Sequence, residues 1–234
     1  MTPVSTGTSL AVLIDGENMS AKYAEAIFAE IASFGEASVR RVYGDFSTNK
    51  LKGWKDVMAE LAIIPQQQFQ NTIGKNADDI ALVIDAMDLL HSGRFDGFVL
   101  VSSDSDFTRL ASRIREQNIE VIGVGEKKTP QPFRKACHRF IYVESLLGQR
   151  VVQDGENLTL SHAGDLIGQA LNALSPDNEP VALGPLGQEL RKRFSDFDHR
   201  NYGKKSLSDL ISALKSLELK GTGTEKTVRK RSNG

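Results

Sequence analysis

Two hydrophobic rhythms alternate along the first two-thirds of the chain. Apolar runs of strand length recur at 10–15 (LAVLID), 37–45 (ASVRRVYGD), 62–70 (AIIPQQQFQ), 95–103 (FDGFVLVSS) and 119–125 (IEVIGVG), with a shorter RFIYVE at 139–144. Between them apolar residues fall three and four apart, the spacing of a helix that buries one face. This predicts helices over 20–33, 51–60, 78–91 and 106–117. The third would bury Ile80, Val83, Ile84, Met87 and Leu90; the fourth would bury Phe107, Leu110, Ala111 and Ile114. Strands alternating with helices predict an α/β sandwich around a mainly parallel sheet. Such sheets bind ligands beyond the carboxyl ends of their strands, near a topological switch point.

The pattern changes after residue 147. GQRVVQDGEN (148–157) is polar and reads as a linker. Helical spacing returns from 158 to a Ser-Pro turn, again at 184–194, and at 206–217, where Leu207, Leu210, Ile211 and Leu214 form the stripe. Ser206 and Asp209 suit the first turn of that last helix. LELKGTGTEKTVRK (217–230) alternates around GTGT and predicts a β-hairpin. Three helices and a hairpin suggest a winged helix-turn-helix. The expected organisation is a domain at 1–147, a linker at 148–157 and a small domain at 158–234.

Composition adds two facts. Cys137 is the only cysteine, so no intrachain disulfide forms and a reducing compartment is expected. No apolar run approaches the roughly 20 residues that span a bilayer, and the N-terminus lacks a signal-peptide pattern. A soluble cytoplasmic protein is expected. Net charge is −1, yet Gly184–Gly234 holds 12 Lys/Arg against 6 Asp/Glu, while the other 183 residues hold 17 against 24. A basic end on an acidic body suggests a polyanionic partner, or simply a solvated tail.

Carboxylates sit where the predicted strands end. Asp15 closes the first strand, Asp104 and Asp106 follow the fourth, and Asp78 and Asp79 open the helix that carries ALVIDAMDLL. Parallel strands share one carboxyl edge, so three clusters distant in sequence converge on one rim. Converging carboxylates repel, and a hard divalent cation, Mg²⁺ or Mn²⁺, relieves them through oxygen ligands. None of the clusters contains His or Cys, which disfavours zinc. Phosphodiester hydrolysis is the chemistry such an ion suits. Taken singly, each acid has a plainer reading. Asp104 or Asp106 would cap a helix, Ser102, Ser103 and Ser105 would serve the turn, and Asp78 and Asp79 would complement a helix dipole. Asp85, seven residues after Asp78, either reaches the site or pairs with a basic neighbour.

VLIDGENM, GKNADDIALVIDAMDLL and VLVSSDSDF, in this order, resemble the three acidic motifs of the NYN domain, over roughly residues 9–145. The resemblance implies a Rossmann-like, PIN-like three-layer sandwich and a metal-dependent nuclease. It implies metal-ligating roles for Asp15, Asp79, Asp104 and Asp106, with Asp78 as a further catalytic candidate. It also implies that Asn18 orients water or contacts a phosphate. LGPLGQELRKRFSDFDHRNYGKKSLSDLISALKSLEL (183–219) is similar to the LOTUS, or OST-HTH, domain, a winged-helix family linked to RNA and to partner proteins.

Arg191, Lys192, Arg193, Arg200, Lys204 and Lys205 are the phosphate-binding candidates, with Tyr202 or His199 available to stack on a base. Core packing is the competing role for Tyr202. In the first domain Arg40, Arg41, Lys50, Lys52, Lys55, Lys75, Arg109 and Arg113 could ease an anionic substrate toward an acidic rim. The leading expectation is a metal-dependent ribonuclease acting on single-stranded or structured RNA. The alternative is a non-catalytic RNA-binding regulator with an idle nuclease domain. A homodimer or a protein partner through the C-terminal domain is a further expectation. Toprim-type and haloacid-dehalogenase-type sites also place Asp-x-Asp after strands, but the first strand here offers Asp15-Gly16-Glu17, which departs from both patterns.

Overall fold

The computed structural model describes residues 7–68, 77–148, 152–153 and 156–231; the side chains of 77, 78, 152, 153, 156, 157 and 224 lie outside the description. The chain divides into two compact units, 1–143 and 144–234.

The first unit is built on six strands: β1 (Ser9–Asp15), β2 (Glu36–Gly44), β3 (Ile64–Gln67), β4 (Gly97–Val101), β5 (Glu120–Gly125) and β6 (Arg139–Tyr142). All neighbours pair parallel in the order β3-β2-β1-β4-β5-β6. The chain lays strands outward from β1 to β3, then returns to the other side of β1 with β4. The switch point therefore lies between the carboxyl ends of β1 and β4. Residues Leu10–Asp15 and Gly97–Val101 are buried throughout. These central strands are covered on both faces, which is why they read as unbroken apolar runs.

The helices are α1 (Ala24–Ile31), α2 (Lys52–Met58), α3 (Ala77–His91), α4 (Thr108–Glu116), α5 (Gln131–Ala136) and α6 (Val143–Leu146). The face of α3 differs from the expected one. Leu82, Ala86, Leu89 and Leu90 are buried, whereas Ile80 and Ile84 are 60% and 57% exposed. This helix is apolar on two sides, so spacing alone fits either. Asp85 decides between them: it accepts hydrogen bonds from the Arg41 guanidinium and the Tyr43 hydroxyl, both on β2. That pull turns the 82–85–86–89 face to the sheet. Asp85 thus pairs with a basic neighbour, and Arg41 is engaged there.

At the end of β5, Gly125 meets the loop after β4. A Cβ there would lie 2.6 Å from the Ser102 carbonyl oxygen and 2.6 Å from Thr129 Oγ1. Gly125→Ala is expected to cost about 1–3 kcal/mol of stability through overpacking. A drop in the urea midpoint would check this.

The second unit contains β7 (Val152–Gln153), β8 (Glu156–Asn157), α7 (Leu160–Leu174), β9 (Val181–Ala182), α8 (Leu183–Arg193), α9 (Leu207–Ser212), β10 (Leu217–Lys220) and β11 (Thr227–Lys230). The first two pair antiparallel within the stretch expected as a linker. A three-stranded antiparallel sheet runs β10-β11-β9, with the predicted hairpin as its β10–β11 pair. Ile167 and Leu171, Leu186 and Leu190, Leu210 and Ile211, and Val228 form its core. Ser206 caps α9 by accepting from Asp209 N at 3.0 Å. This helix stops well short of 217, because the chain must turn for Leu217 to enter the sheet.

A charge pair stabilises the turn before α9. Arg200 donates to Asp198 from Nε (3.0 Å to Oδ2) and Nη2 (2.7 Å). Burial alone would raise the Asp198 carboxyl, but its bonds to Arg200 outweigh that and hold it below its ordinary value of 3.8. A depressed folded-state pKa means stability that is present above 3.8 and lost as the pH falls through the lowered value. Asp198→Asn is therefore expected to destabilise the chain by about 1.5–3 kcal/mol at neutral pH, the range for hydrogen bonds to charged groups. The deficit should shrink in strong acid. Urea titrations at two pH values check it.

Candidate functional site

The β1/β4 register places the first two members of the site side by side. Ile14 pairs with Val101, so the next residues, Asp15 and Ser102, are neighbours at the carboxyl edge. Ser102 Oγ donates to Asp15 Oδ2 at 2.7 Å, and Asp104 N donates to Ser102 Oγ at 3.0 Å. One hydroxyl thus ties both acidic loops together. Asn18 completes the cradle, with Nδ2 at 2.8 Å from Asp15 Oδ2 and its backbone N at 3.1 Å from Oδ1.

Asp15 is only 3% exposed. Burial lifts its carboxyl above the usual value, the donors Ser102 and Asn18 pull it down, and the charge of Asp104 pushes it up again. A carboxylate wrapped in donors yet strained by burial and by a second acid is what a bound cation would relieve.

The lone pairs fit such an ion. Asp15 Oδ2 already accepts two hydrogen bonds, whereas Oδ1 accepts one and has room for another partner. Asp104 Oδ1 caps a 3-10 turn by accepting from Asp106 N at 2.9 Å, and among the described residues its Oδ2 has no partner. Mg²⁺ binds in this way, through one or two carboxylates while keeping several waters. Among the described residues, no three His, Cys, Asp or Glu side chains gather at metal-holding distance. What they bring together is a pair, Asp15 and Asp104. Asp79 is half-buried in the first turn of α3, Asp106 is exposed, and the Asp78 side chain lies outside the described residues.

The loop between Asp15 and α1 is pinned from beneath. Trp54 is buried, and its Nε1 donates to the carbonyls of Gly16 (3.2 Å) and Met19 (3.0 Å). Beside this loop opens a groove of about 790 Å³, with Asn18, Lys22, Lys50, Trp54 and Lys128 in its wall. Of the other expected cations, Arg40 bonds the Ala37 and Leu61 carbonyls and stacks on Phe28. Arg113 pairs with Glu116. Arg109, Lys52 and Lys55 are exposed, and Lys75 lies outside the described residues.

In the second unit the six basic candidates divide. Arg200 is bound to Asp198 and Arg193 to Glu189, so their heads are engaged within the fold. Arg191, Lys192 and Lys205 are exposed and Lys204 half-buried, and among the described residues none of the four has an ion pair. Tyr202 is 5% exposed with its hydroxyl 3.0 Å from His162 Nδ1. It packs the core and is not a platform for a base. His199 Nε2 lies 2.9 Å from the Lys205 carbonyl oxygen.

Residues 9–146 match the NYN domain. The chain belongs to the NYN domain family. Its residues 159–229 match the OST-HTH/LOTUS domain. Both resemblances seen in the motifs are thereby shown, as is the α/β sheet followed by a small helical domain. No curated protein matches the chain. Among solved structures, a protein of unknown function from Vibrio parahaemolyticus is similar in fold, with a TM-score of 0.50 and 20% identity. That match covers 67% of this chain and 100% of the other. Among the described residues, no helix is long and apolar enough to cross a membrane.

One member of this NYN domain site, Ser102, was not singled out by the motif reading. Ser102 reads as a turn residue, yet its hydroxyl bridges the two acids. Its signal was position, at the first residue past a buried strand and opposite Asp15. Asn18, expected at water or phosphate, donates its amide to Asp15. Ser103 Oγ accepts from Glu126 N at 2.8 Å, which joins its turn to the loop after β5.

Proposed function

We propose that the protein is a metal-dependent ribonuclease, with its NYN domain cutting RNA and its LOTUS domain recruiting it. The carrying observation is the Asp15–Ser102–Asp104 relay at the β1/β4 switch point. Asp15 Oδ1 and Asp104 Oδ2 are the oxygens that would hold Mg²⁺ or Mn²⁺, and Asp79, Asp78 and Asp106 are further candidates. The ion would lower the pKa of a bound water and neutralise charge on a phosphoryl oxygen.

The chain's own residues supply placement. Asn18 and Ser102 fix the Asp15 carboxylate, so its open lone pair keeps one direction. The Asp104–Asp106 cap does the same for Asp104. Burial of Asp15 keeps the local dielectric low, which strengthens every charge interaction at the rim. Arg191, Lys192, Lys204 and Lys205 are the side chains of the LOTUS domain that phosphates would meet.

Labelled single-stranded RNA incubated with the full chain and Mn²⁺ should be cut, and EDTA should stop it. RNA binding that persists without cleavage under Mg²⁺ or Mn²⁺ would instead support the non-catalytic reading.

A further inference from the structure

We propose that the groove beside Asp15 seats the backbone of single-stranded RNA, held by Lys22 and Lys50 without reading its bases. The inference rests on the nuclease reading above and assigns the substrate path for that site.

Three segments that are distant in sequence build the groove: the loop after β1 (Gly16 to Lys22), the stretch after β2 that runs into α2 (Lys50 to Trp54) and the loop after β5 (Glu126 and Lys128). All follow strands of one parallel sheet, so they open at the edge that carries Asp15. The volume of about 790 Å³ lies within the range of pockets that take one small ligand, about 300–1,000 Å³. This suits one or two nucleotides of a single strand. An A-form RNA duplex, with two backbones flanking a wide, shallow minor groove, presents a much larger cross-section.

The charges of the wall select the contacts. Lys128 is held by Glu126 at 2.8 Å, and Glu17 Oε1 lies 3.5 Å from Asp45 N. Lys22 and Lys50 are exposed and, among the described residues, take no ion pair. Lys22 comes from the segment that bears Asn18 and Lys50 from the one after β2. A polyanion approaching two carboxylates needs such cations, and lysine meets phosphate as a point charge.

The wall offers little to the bases. Its aromatic ring, Trp54, is 2% exposed, and its N–H is already given to Gly16 and Met19. Base stacking needs an exposed ring face. Contacts to phosphate alone carry no sequence information. The groove should therefore be tolerant of sequence and sensitive to salt.

The test uses the full chain carrying Asp104→Asn, so that RNA survives, with fluorescent single strands of two unrelated sequences. Adding Lys22→Ala and Lys50→Ala should weaken both strands alike, by roughly tenfold. It should also flatten the slope of log affinity against log salt by about 1.4, at 0.7 per lost single-strand phosphate contact. Arg94→Ala with Lys135→Ala, an equal charge change at exposed positions outside the groove wall, should keep the parent slope. An unchanged slope in the Lys22/Lys50 variant, an equal change in the control, or a loss confined to one sequence overturns the inference. Cleavage by the unmutated chain is scored separately. If cleavage occurs and the slope does not change, the groove assignment alone fails. If the slope changes but no cleavage occurs, the nuclease reading fails and the groove stands as a binding site.

Discussion

Asp104→Asn is expected to leave the fold intact and to lower RNA cleavage on the order of a thousandfold. The amide keeps an oxygen for the cap on Asp106 N, which the carboxylate now makes at 2.9 Å, so the 3-10 turn persists. What disappears is the negative charge beside Asp15. A catalytic ion supplies several kcal/mol of charge stabilisation in the transition state, and each 1.4 kcal/mol is tenfold in rate. Ser102→Ala should act more mildly, by roughly 10–100-fold, the usual cost of losing a group that orients a metal ligand. The Ser102 effect should weaken with rising Mn²⁺, because a loosened ligand can be offset by mass action. Single-turnover rates across a Mn²⁺ series check both, with circular dichroism as the folding control.

The second large effect belongs to the LOTUS domain. Replacing Lys192, Lys204 and Lys205 together by alanine should weaken RNA binding by roughly tenfold to a hundredfold and flatten the salt slope by about 2. These side chains have no ion pair among the described residues, so removing them breaks nothing in the fold. Arg193→Ala and Arg200→Ala should behave in the opposite way. Their guanidinium groups meet Glu189 and Asp198, so Arg200→Ala in particular should cost stability before it costs affinity. Urea midpoints set beside RNA titrations separate the two classes. The short α9 points the same way. Asp209 is its only charged residue, so the basic edge, rather than a helix laid in a groove, is the surface that suits RNA.

How much of this could be read from the chain differs by element. The central strands were legible because buried parallel strands are continuous apolar runs bounded by polar turns, and LAVLID and FVLVSS fit that pattern well. α3 was legible as a helix but not in its orientation. Its residues 80–90 offer two apolar faces, and the choice depends on Asp85 meeting Arg41 and Tyr43, a contact made across 42 or more positions. The site showed the same division. Asp15 and Asp104 announce themselves as acids past strand ends. Ser102 does not, because its role exists only once β1 and β4 lie in register. The engagement of Arg200 by Asp198 and the burial of Tyr202 likewise follow from a packed core, which composition and spacing do not show.

A metal-dependent nuclease here requires the switch point to bind a divalent ion through Asp15 and Asp104. Titrating Mn²⁺ into the purified full chain and following free Mn²⁺ by electron paramagnetic resonance tests it most directly. A saturable loss of free signal is expected, and Asp15→Asn and Asp104→Asn should both abolish it while each variant remains folded. Equal Mn²⁺ uptake by the parent chain and both folded variants would contradict it.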